Sequence, residues 1–390
     1  MSLFDKFRNL AKAREALLES GCDPFSVVLD EVLSSTEGII GGRRTILAGT
    51  NNYLGLTFHQ DCIDAAGVAL AKEGTGTTGS RMANGTFSGH VALEREIAEF
   101  YQVRSSIVFS TGYLANLGML STLAGSDDVI LLDADCHASI YDGCRMGDAE
   151  VIRFRHNNSS DLEKRMRRLG DRATRTIILV EGIYSMLGDR APLKEIAEIK
   201  KKYNAFLVVD EAHSLGVLGQ NGRGLAEEAG VEDSVDLIVG TFSKSLGATG
   251  GFCVSNHPEL DMIRFASRPY IFTASPSPSV IASTRAALQI LKTQPALRKK
   301  LWENVEHLYK RLQRAGFKVG PEPSPVVATL LDTKEEGIRL WKELMENGVY
   351  VNLVLPPAAP GETCLLRCSV SAGHSEEQIE SICLAFESLK

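Results

Sequence analysis

Lys244 stands in the run Gly240-Thr241-Phe242-Ser243-Lys244-Ser245-Leu246-Gly247, among small residues and directly after the apolar run Val235 to Val239. Lysine is ordinarily a solvated surface residue, and small neighbours behind a buried strand are not a surface setting. An amine so placed suits a Schiff base with an aldehyde. A second apolar run, Ala205-Phe206-Leu207-Val208-Val209, ends in Asp210-Glu211-Ala212-His213. A carboxylate at the end of one strand and an amine just beyond the next are the two groups that pyridoxal 5′-phosphate requires. The amine takes the aldehyde, and the carboxylate keeps the ring nitrogen protonated so that the ring accepts electrons from a carbanion.

These two strand ends belong to a series. Ser106-Ile107-Val108-Phe109 leads into Ser110-Thr111-Gly112-Tyr113 and a helical stretch from Leu114 to about Leu123. Val129 to Leu132 leads to Asp133-Ala134-Asp135-Cys136-His137, and Thr176 to Val180 leads to Glu181-Gly182-Ile183-Tyr184-Ser185. A helix from Leu193 to about Tyr203 precedes the strand that ends at Asp210. Strands alternating with helices predict an α/β fold with a mostly parallel central sheet covered on both faces. Such sheets take ligands beyond the C-terminal ends of their strands. Five strands thus deliver Gly112, His137, Ser185, Asp210, His213 and Lys244 to one edge. A histidine or serine alone is more often structural, and the joint placement is what singles these out.

After about residue 290 the texture changes. Leu301, Val305, Leu308 and Leu312 form one helical face that stops at Gly316. Candidate strands at 326–331, 349–355 and 364–370, with helices near 334–346 and 375–389, predict a smaller α+β domain. Ser375-Glu376-Glu377-Gln378 supplies a capping box for the last helix. The expected organisation is an N-terminal segment 1–50, a large cofactor-binding domain 51–290 and a C-terminal domain 291–390.

Composition excludes several classes. The 390 residues carry 42 Lys plus Arg against 49 Asp plus Glu, a net charge of −7, so no nucleic-acid partner is expected. The basic run Lys164 to Arg168 reads as the solvated face of a helix. The N-terminus lacks the apolar segment of a secretory signal, and no apolar run reaches the roughly 18 residues of a spanning helix; a cytoplasmic protein is expected. Cysteines at 22, 62, 136, 144, 253, 364, 368 and 383 lack zinc-site pairing, so reduced core thiols and no metal are expected. Leu3, Phe4, Phe7, Leu10 and Ala11 predict an amphipathic helix that packs on the protein's own body, with peripheral contact with the inner membrane as the alternative. Gly74-Thr75-Gly76-Thr77-Thr78-Gly79 satisfies GxGxxG, but it follows a helical pattern rather than a strand, which excludes a dinucleotide site and predicts a flexible loop near a ligand or subunit interface.

At Asp210-Glu211-Ala212-His213 and Thr241-Phe242-Ser243-Lys244-Ser245 the sequence closely resembles the α-oxoamine synthases, from about Asp23 to the C-terminus. These are pyridoxal-phosphate enzymes of the aspartate-aminotransferase fold, fold type I, that condense an amino acid with an acyl thioester. The runs 109–113, 133–143 and 268–275 are most similar to the bacterial members that use L-serine and palmitoyl-CoA. Glycine- and alanine-using members tend to read Gly-Lys-Ala around the lysine. The resemblance implies that Lys244 binds the cofactor aldehyde, Asp210 pairs with the pyridine nitrogen, His137 stacks on the ring and His213 bonds its phenolic oxygen. It places Gly112, Tyr113, Thr241 and Ser243 on the phosphate, Thr273 on the phosphate of a second subunit, and Ser185 near the ring. A homodimer with shared active sites follows.

For the substrate, the resemblance points to Arg367 as the bidentate partner of the amino-acid carboxylate and to Asn52 as a further contact, although Asn52 equally suits a turn. An arginine inside an apolar strand is otherwise costly. One departure stands out. The serine-using members read Arg-Pro-Pro-Ala-Thr-Pro before the arginine strand, whereas this chain reads Leu355-Pro356-Pro357-Ala358-Ala359-Pro360 and lacks that second arginine. The implied reaction is a decarboxylating Claisen condensation of L-serine with a long-chain acyl thioester, carried by coenzyme A or an acyl carrier protein, to give 3-ketodihydrosphingosine. The alternatives are a glycine- or alanine-using synthase with a shorter acyl-CoA, which Ser243 and Ser245 disfavour and Leu355 reopens, and a non-catalytic scaffold subunit, against which Lys244, Asp210, His137 and His213 argue.

Overall fold

The computed structural model describes residues 2–19, 23–356, 358–359 and 363–390. Cys22 and the loop residues Pro357 and Pro360 lie outside the described residues.

Seven strands form the central sheet: β1 (Ser105–Phe109), β2 (Val129–Asp133), β3 (Glu150–Phe154), β4 (Thr176–Glu181), β5 (Phe206–Asp210), β6 (Leu237–Thr241) and β7 (Gly251–Ser255), in the order β1-β7-β6-β5-β4-β2-β3. β7 runs antiparallel to both neighbours, and the other pairings are parallel. The five strands read from the sequence are present, each within a residue or two of the expected bounds. β2, β4 and β7 are buried along their whole length, as the apolar runs of a two-sided sheet require.

β3 and β7 were not expected from the sequence. β3, Glu-Val-Ile-Arg-Phe, is an edge strand whose charged residues interrupt the apolar run, and only Phe154 is fully buried. β7 closes the gap between β1 and β6, so the sheet is mixed rather than purely parallel. Helix α1 (Gly112–Leu123) follows β1, and helix α2 (Ala138–Arg145) follows β2.

The smaller sheet holds β8 (Lys318–Val319), β9 (Val326–Leu331), β10 (Asn352–Val354) and β11 (Cys364–Ser369), in the antiparallel order β8-β9-β11-β10. The expected strand 349–355 is split. Val349–Tyr350 pairs instead with Arg43–Leu47 of an N-terminal hairpin, which ties the first fifty residues to the C-terminal part. The helix Pro295–Arg314 buries Leu301, Val305, Leu308 and Leu312 and is stopped by Gly316 at φ +82°. The last helix, Glu376–Glu387, begins with the expected capping box between Ser375 and Gln378, worth about 1 kcal/mol.

Gly74 to Gly79 follows the helix Gln60–Glu73, not a strand. It is pinned to the segment after residue 273, since Ser80 bridges Ala274 and Ser275 Oγ bonds Thr77 Oγ1 at 2.7 Å. The N-terminal helix departs from expectation. Leu3, Phe4, Phe7 and Leu10 are 85, 76, 48 and 69 % exposed, and Ala11 is exposed too. Among the described side chains of the helix Arg8–Glu19, only Leu17 is buried. Among the described side chains, the chain's own body therefore covers this helix only in its last turn. The seven described cysteines are free and buried. No helix among the described residues is long and apolar enough to cross a membrane.

Candidate active site

The C-terminal ends of β4, β5 and β6 and the start of α1 enclose a cavity of about 290 Å³. Gly112, Tyr113, His137, Asp210, His213, Thr241, Ser243 and Lys244 all line it. So do Asn116 and Glu181, which sequence reasoning did not single out.

Asp210 lies on the cavity floor, 5 % exposed. Its Oδ2 accepts from Asn116 Nδ2 at 2.7 Å and its Oδ1 from the Ala212 amide at 2.9 Å. No cation pairs with it among the described residues. A buried carboxylate held only by neutral donors is costly, and a protonated pyridine offsets that cost. Asn116 is four residues after Gly112, which puts it one turn down α1 on the face that looks along the cavity. That spacing was the available signal.

Lys244 reaches the cavity from the turn after β6. Burial pushes its amine down to about 8, against the pull of Asp210 and Glu181. A substantial neutral fraction near neutral pH is what attack on an aldehyde needs. Glu181 is the register partner of Asp210 across β4 and β5. Burial, reinforced by Asp210, drives its carboxyl well above the ordinary carboxylate range. Its Oε1 accepts the His137 amide, which fixes the turn leading into α2. A glutamate ending a strand just as Asp210 does was legible and was missed.

His137 caps α2 and is itself open to the cavity. Its Nδ1 is 2.8 Å from Ser139 Oγ, and its ring stands edge-on to Tyr113 at 6.4 Å. His213 is buried, with Nδ1 2.6 Å from Tyr53 Oη. Burial, then Lys244, Arg367 and His137, hold it well below the usual imidazole range, so it is neutral. Tyr53 thus fixes the ring and leaves Nε2 for a ligand.

At the other end, Thr111 caps α1 by accepting the Leu114 amide at 3.0 Å. The free amides of Gly112 and Tyr113 and the helix dipole make an anion seat. A Cβ on Gly112 would lie 2.8 Å from Thr241 Cβ, so only glycine lets the helix approach β6. Thr241 Oγ1 and Ser243 Oγ are 2.9 Å apart beside this seat. Anion seat, floor carboxylate and low-pKa amine together match the phosphate, ring nitrogen and aldehyde of pyridoxal phosphate.

Three expected residues stand elsewhere. Ser185 does not line this cavity but an adjoining one that shares His137, and its carbonyl accepts Arg367 Nε at 2.6 Å. Thr273 lies in the segment after the short helix Arg268–Ile271 and is not among the lining residues of its own chain. Asn52 is buried, and its Nδ2 bonds Thr57 Oγ1 at 2.7 Å, the turn role. It is Asn51 whose Oδ1 meets Arg367, at 3.2 Å from both Nη1 and Nη2.

Arg367, 6 % exposed on β11, is otherwise satisfied by Ser369 Oγ at 3.0 Å. Its partners are all neutral oxygens, so among the described residues this buried guanidinium has no carboxylate. Leu355 is partly buried against the hydrophobic core, and the Ala358 and Ala359 amides fold back onto its carbonyl. No cluster of metal-ligating side chains occurs among the described residues.

Comparison with known proteins gives this geometry its context. The family profile described as aminotransferase class I and II matches residues 44–386. The chain belongs to this family. Within it, the chain is 57 % identical to the serine palmitoyltransferase of Caulobacter vibrioides, over 98 % of this chain and 95 % of that protein. It is 50 % identical to the serine palmitoyltransferase of Sphingomonas paucimobilis, over 99 % of this chain and 92 % of that one. A solved serine palmitoyltransferase, with pyridoxal phosphate as its internal aldimine, superposes with a TM-score of 0.98 at 49 % identity, covering 100 % of this chain and 98 % of that one. The resemblance to the α-oxoamine synthases and the aminotransferase fold expected from it both hold.

Proposed function

We propose that this family member is a pyridoxal-phosphate-dependent acyltransferase of the serine palmitoyltransferase kind. It condenses L-serine with a long-chain acyl thioester such as palmitoyl-CoA, with loss of CO2, to give 3-ketodihydrosphingosine, the first step of sphingolipid synthesis. The observation that carries this reading is the pairing of two unmatched buried charges. Asp210 has no cation paired with it, and Arg367, held by the Ser185 carbonyl, has no anion among the described residues.

When bound, pyridoxal phosphate supplies the electron sink for a carbanion at the amino acid's Cα. Lys244 would hold the cofactor through its aldehyde, and the same amine, when free and neutral, is the group placed to take the proton from Cα. Asp210 would keep the ring nitrogen protonated, and His213 would donate to the phenolic oxygen. His137 would pack against the ring, while Gly112, Tyr113, Thr241 and Ser243 would hold the phosphate. Arg367 and Asn51 grip the carboxylate, with Asn52 bracing the turn behind them. That grip would guard against premature decarboxylation.

Tyr113 and His137 are open in the single chain, and Met262, Phe265 and Phe272 are 60, 65 and 72 % exposed nearby. This supports a homodimer in which Thr273 of one protomer completes the phosphate seat of the other. The exposed N-terminal helix, with Lys6 and Lys12 beside its apolar residues, supports a cytoplasmic enzyme that rests on the inner membrane. Vesicle co-sedimentation lost in a Phe4→Ser, Phe7→Ser variant is the expected check.

Leu355 favours a second reading, a synthase that takes glycine or alanine with a shorter acyl-CoA. Titrating the holoenzyme with L-serine, glycine and L-alanine, followed by the visible cofactor spectrum, separates the two. Serine binding productively is the expected result. Productive binding of glycine or alanine without serine sinks the serine assignment.

A further inference from the structure

His156 sits outside both cavities, immediately after β3, yet it joins the two turns that carry the substrate-facing groups. Its Nδ1 is 2.8 Å from Asp133 Oδ1, and its Nε2 is 2.7 Å from Asp189 Oδ2. Carboxylate oxygens only accept, so both ring nitrogens must donate and the imidazole is a cation. Burial opposes its proton, but the two carboxylate hydrogen bonds outweigh this and push the ring up to about 10. Asn157 doubles both links, its amide to Asp133 Oδ2 at 2.9 Å and its Nδ2 to Asp189 Oδ2 at 2.8 Å.

Each carboxylate belongs to a different turn. Asp133 ends β2, and the turn it closes, with the Asp135 amide on its Oδ1 at 2.9 Å, runs directly to His137. Asp189 closes the other turn, its carbonyl accepting the Tyr184 amide at 2.9 Å, while residues Ile183 and Arg190 bridge at the base. The His156 ring also stands edge-on to Tyr184 at 4.5 Å. The next residue is Ser185, whose carbonyl fixes Arg367 Nε. One side chain therefore anchors the supports of both His137 and Arg367.

We propose that His156 is a positioning residue that sets the separation of His137 and Arg367, and so the enzyme's affinity for the carboxylate of its amino-acid substrate. This rests on the reading that Arg367 receives that carboxylate. His156 touches neither the cofactor cavity nor Arg367, so its loss should weaken carboxylate recognition while leaving the cofactor in place.

The test measures binding of L-serine and of L-serinamide, which lacks the carboxylate, to wild-type, His156→Gln and Asp189→Asn holoenzymes by spectral titration. In the wild type, serine should bind more tightly than serinamide. In His156→Gln the dissociation constant for serine should rise about tenfold, with serinamide affinity and cofactor content unchanged, and KM should rise more than kcat falls. Wild-type indifference to the carboxylate would overturn the Arg367 reading itself. A wild-type preference that His156→Gln retains, or equal losses for both ligands, would overturn the positioning role alone. Should His156→Gln fail to fold, Asp189→Asn keeps the shape and removes one charge, and the same selective loss for serine decides the matter.

Discussion

The corner around Lys244 and the corner around Arg367 solve opposite electrostatic problems. The first has a surplus of acid. Asp210 and Glu181 face each other on adjacent strands, and the one nearby amine is pushed down to about 8. The second has a surplus of base, a buried guanidinium surrounded by Asn51, Ser185 and Ser369 oxygens. In the first corner the chain tunes protons, and in the second it waits for a charge from outside. A site built this way separates chemistry from recognition, and substitutions in the two corners should fail differently.

The largest effect is expected in the first corner. Lys244→Ala should lower turnover by at least about 10⁴-fold, because it removes both the covalent anchor and the base. Mass spectrometry after borohydride reduction should find no cofactor attached to the variant. Visible absorption typical of the linked cofactor, persisting in Lys244→Ala without added amine, would refute the assignment.

In the second corner, Arg367→Gln should raise the dissociation constant for serine about 10- to 100-fold, the value of one or two charge-assisted hydrogen bonds. Cofactor content should stay at the wild-type level. Loss of cofactor along with serine affinity would mean that the corners are not separable.

Protonation sharpens the same contrast. Since the Lys244 amine is depressed to about 8, it is mostly charged below that pH and mostly neutral above it. The rate at which apoenzyme captures pyridoxal phosphate should rise about tenfold per pH unit up to about 8 and then level off. Stopped-flow absorbance between pH 6 and 9.5 reads this directly, and a plateau reached only above pH 10 would contradict the low value.

The smallest effect is expected at the rim. Leu355→Arg should tighten serine binding about two- to fivefold, as a partly exposed ion pair does. Unchanged affinity would mean that Arg367 and Asn51 already satisfy the carboxylate.

The first corner was the more legible of the two. Its residues sit where apolar runs end, so Asp210, His213, Lys244 and His137 could be placed from strand length alone. What escaped were partners brought in by the fold. Asn116 reaches Asp210 across 94 positions, and Tyr53 reaches His213 across 160. Glu181 escaped although it ends its strand in the same pattern. In the second corner the sequence pointed to Asn52, whereas its neighbour Asn51 meets Arg367. Adjacent residues of a turn face different ways, and no periodicity tells which one faces in. β3 was hidden by its charges. The N-terminal helix was misplaced because amphipathicity says that a face is covered without saying by what.

The floor beneath the cavity carries a consequence for the protein's fate in the cell. It holds Asp210 out of water with neutral hydrogen-bond donors and only the depressed Lys244 amine to offset its charge, an arrangement that is costly. A ligand that brings a positive ring to that floor binds only the folded state, and so draws the equilibrium toward it. Vitamin supply should therefore govern how long each copy survives proteolysis, and a starved cell should hold fewer molecules as well as idle ones.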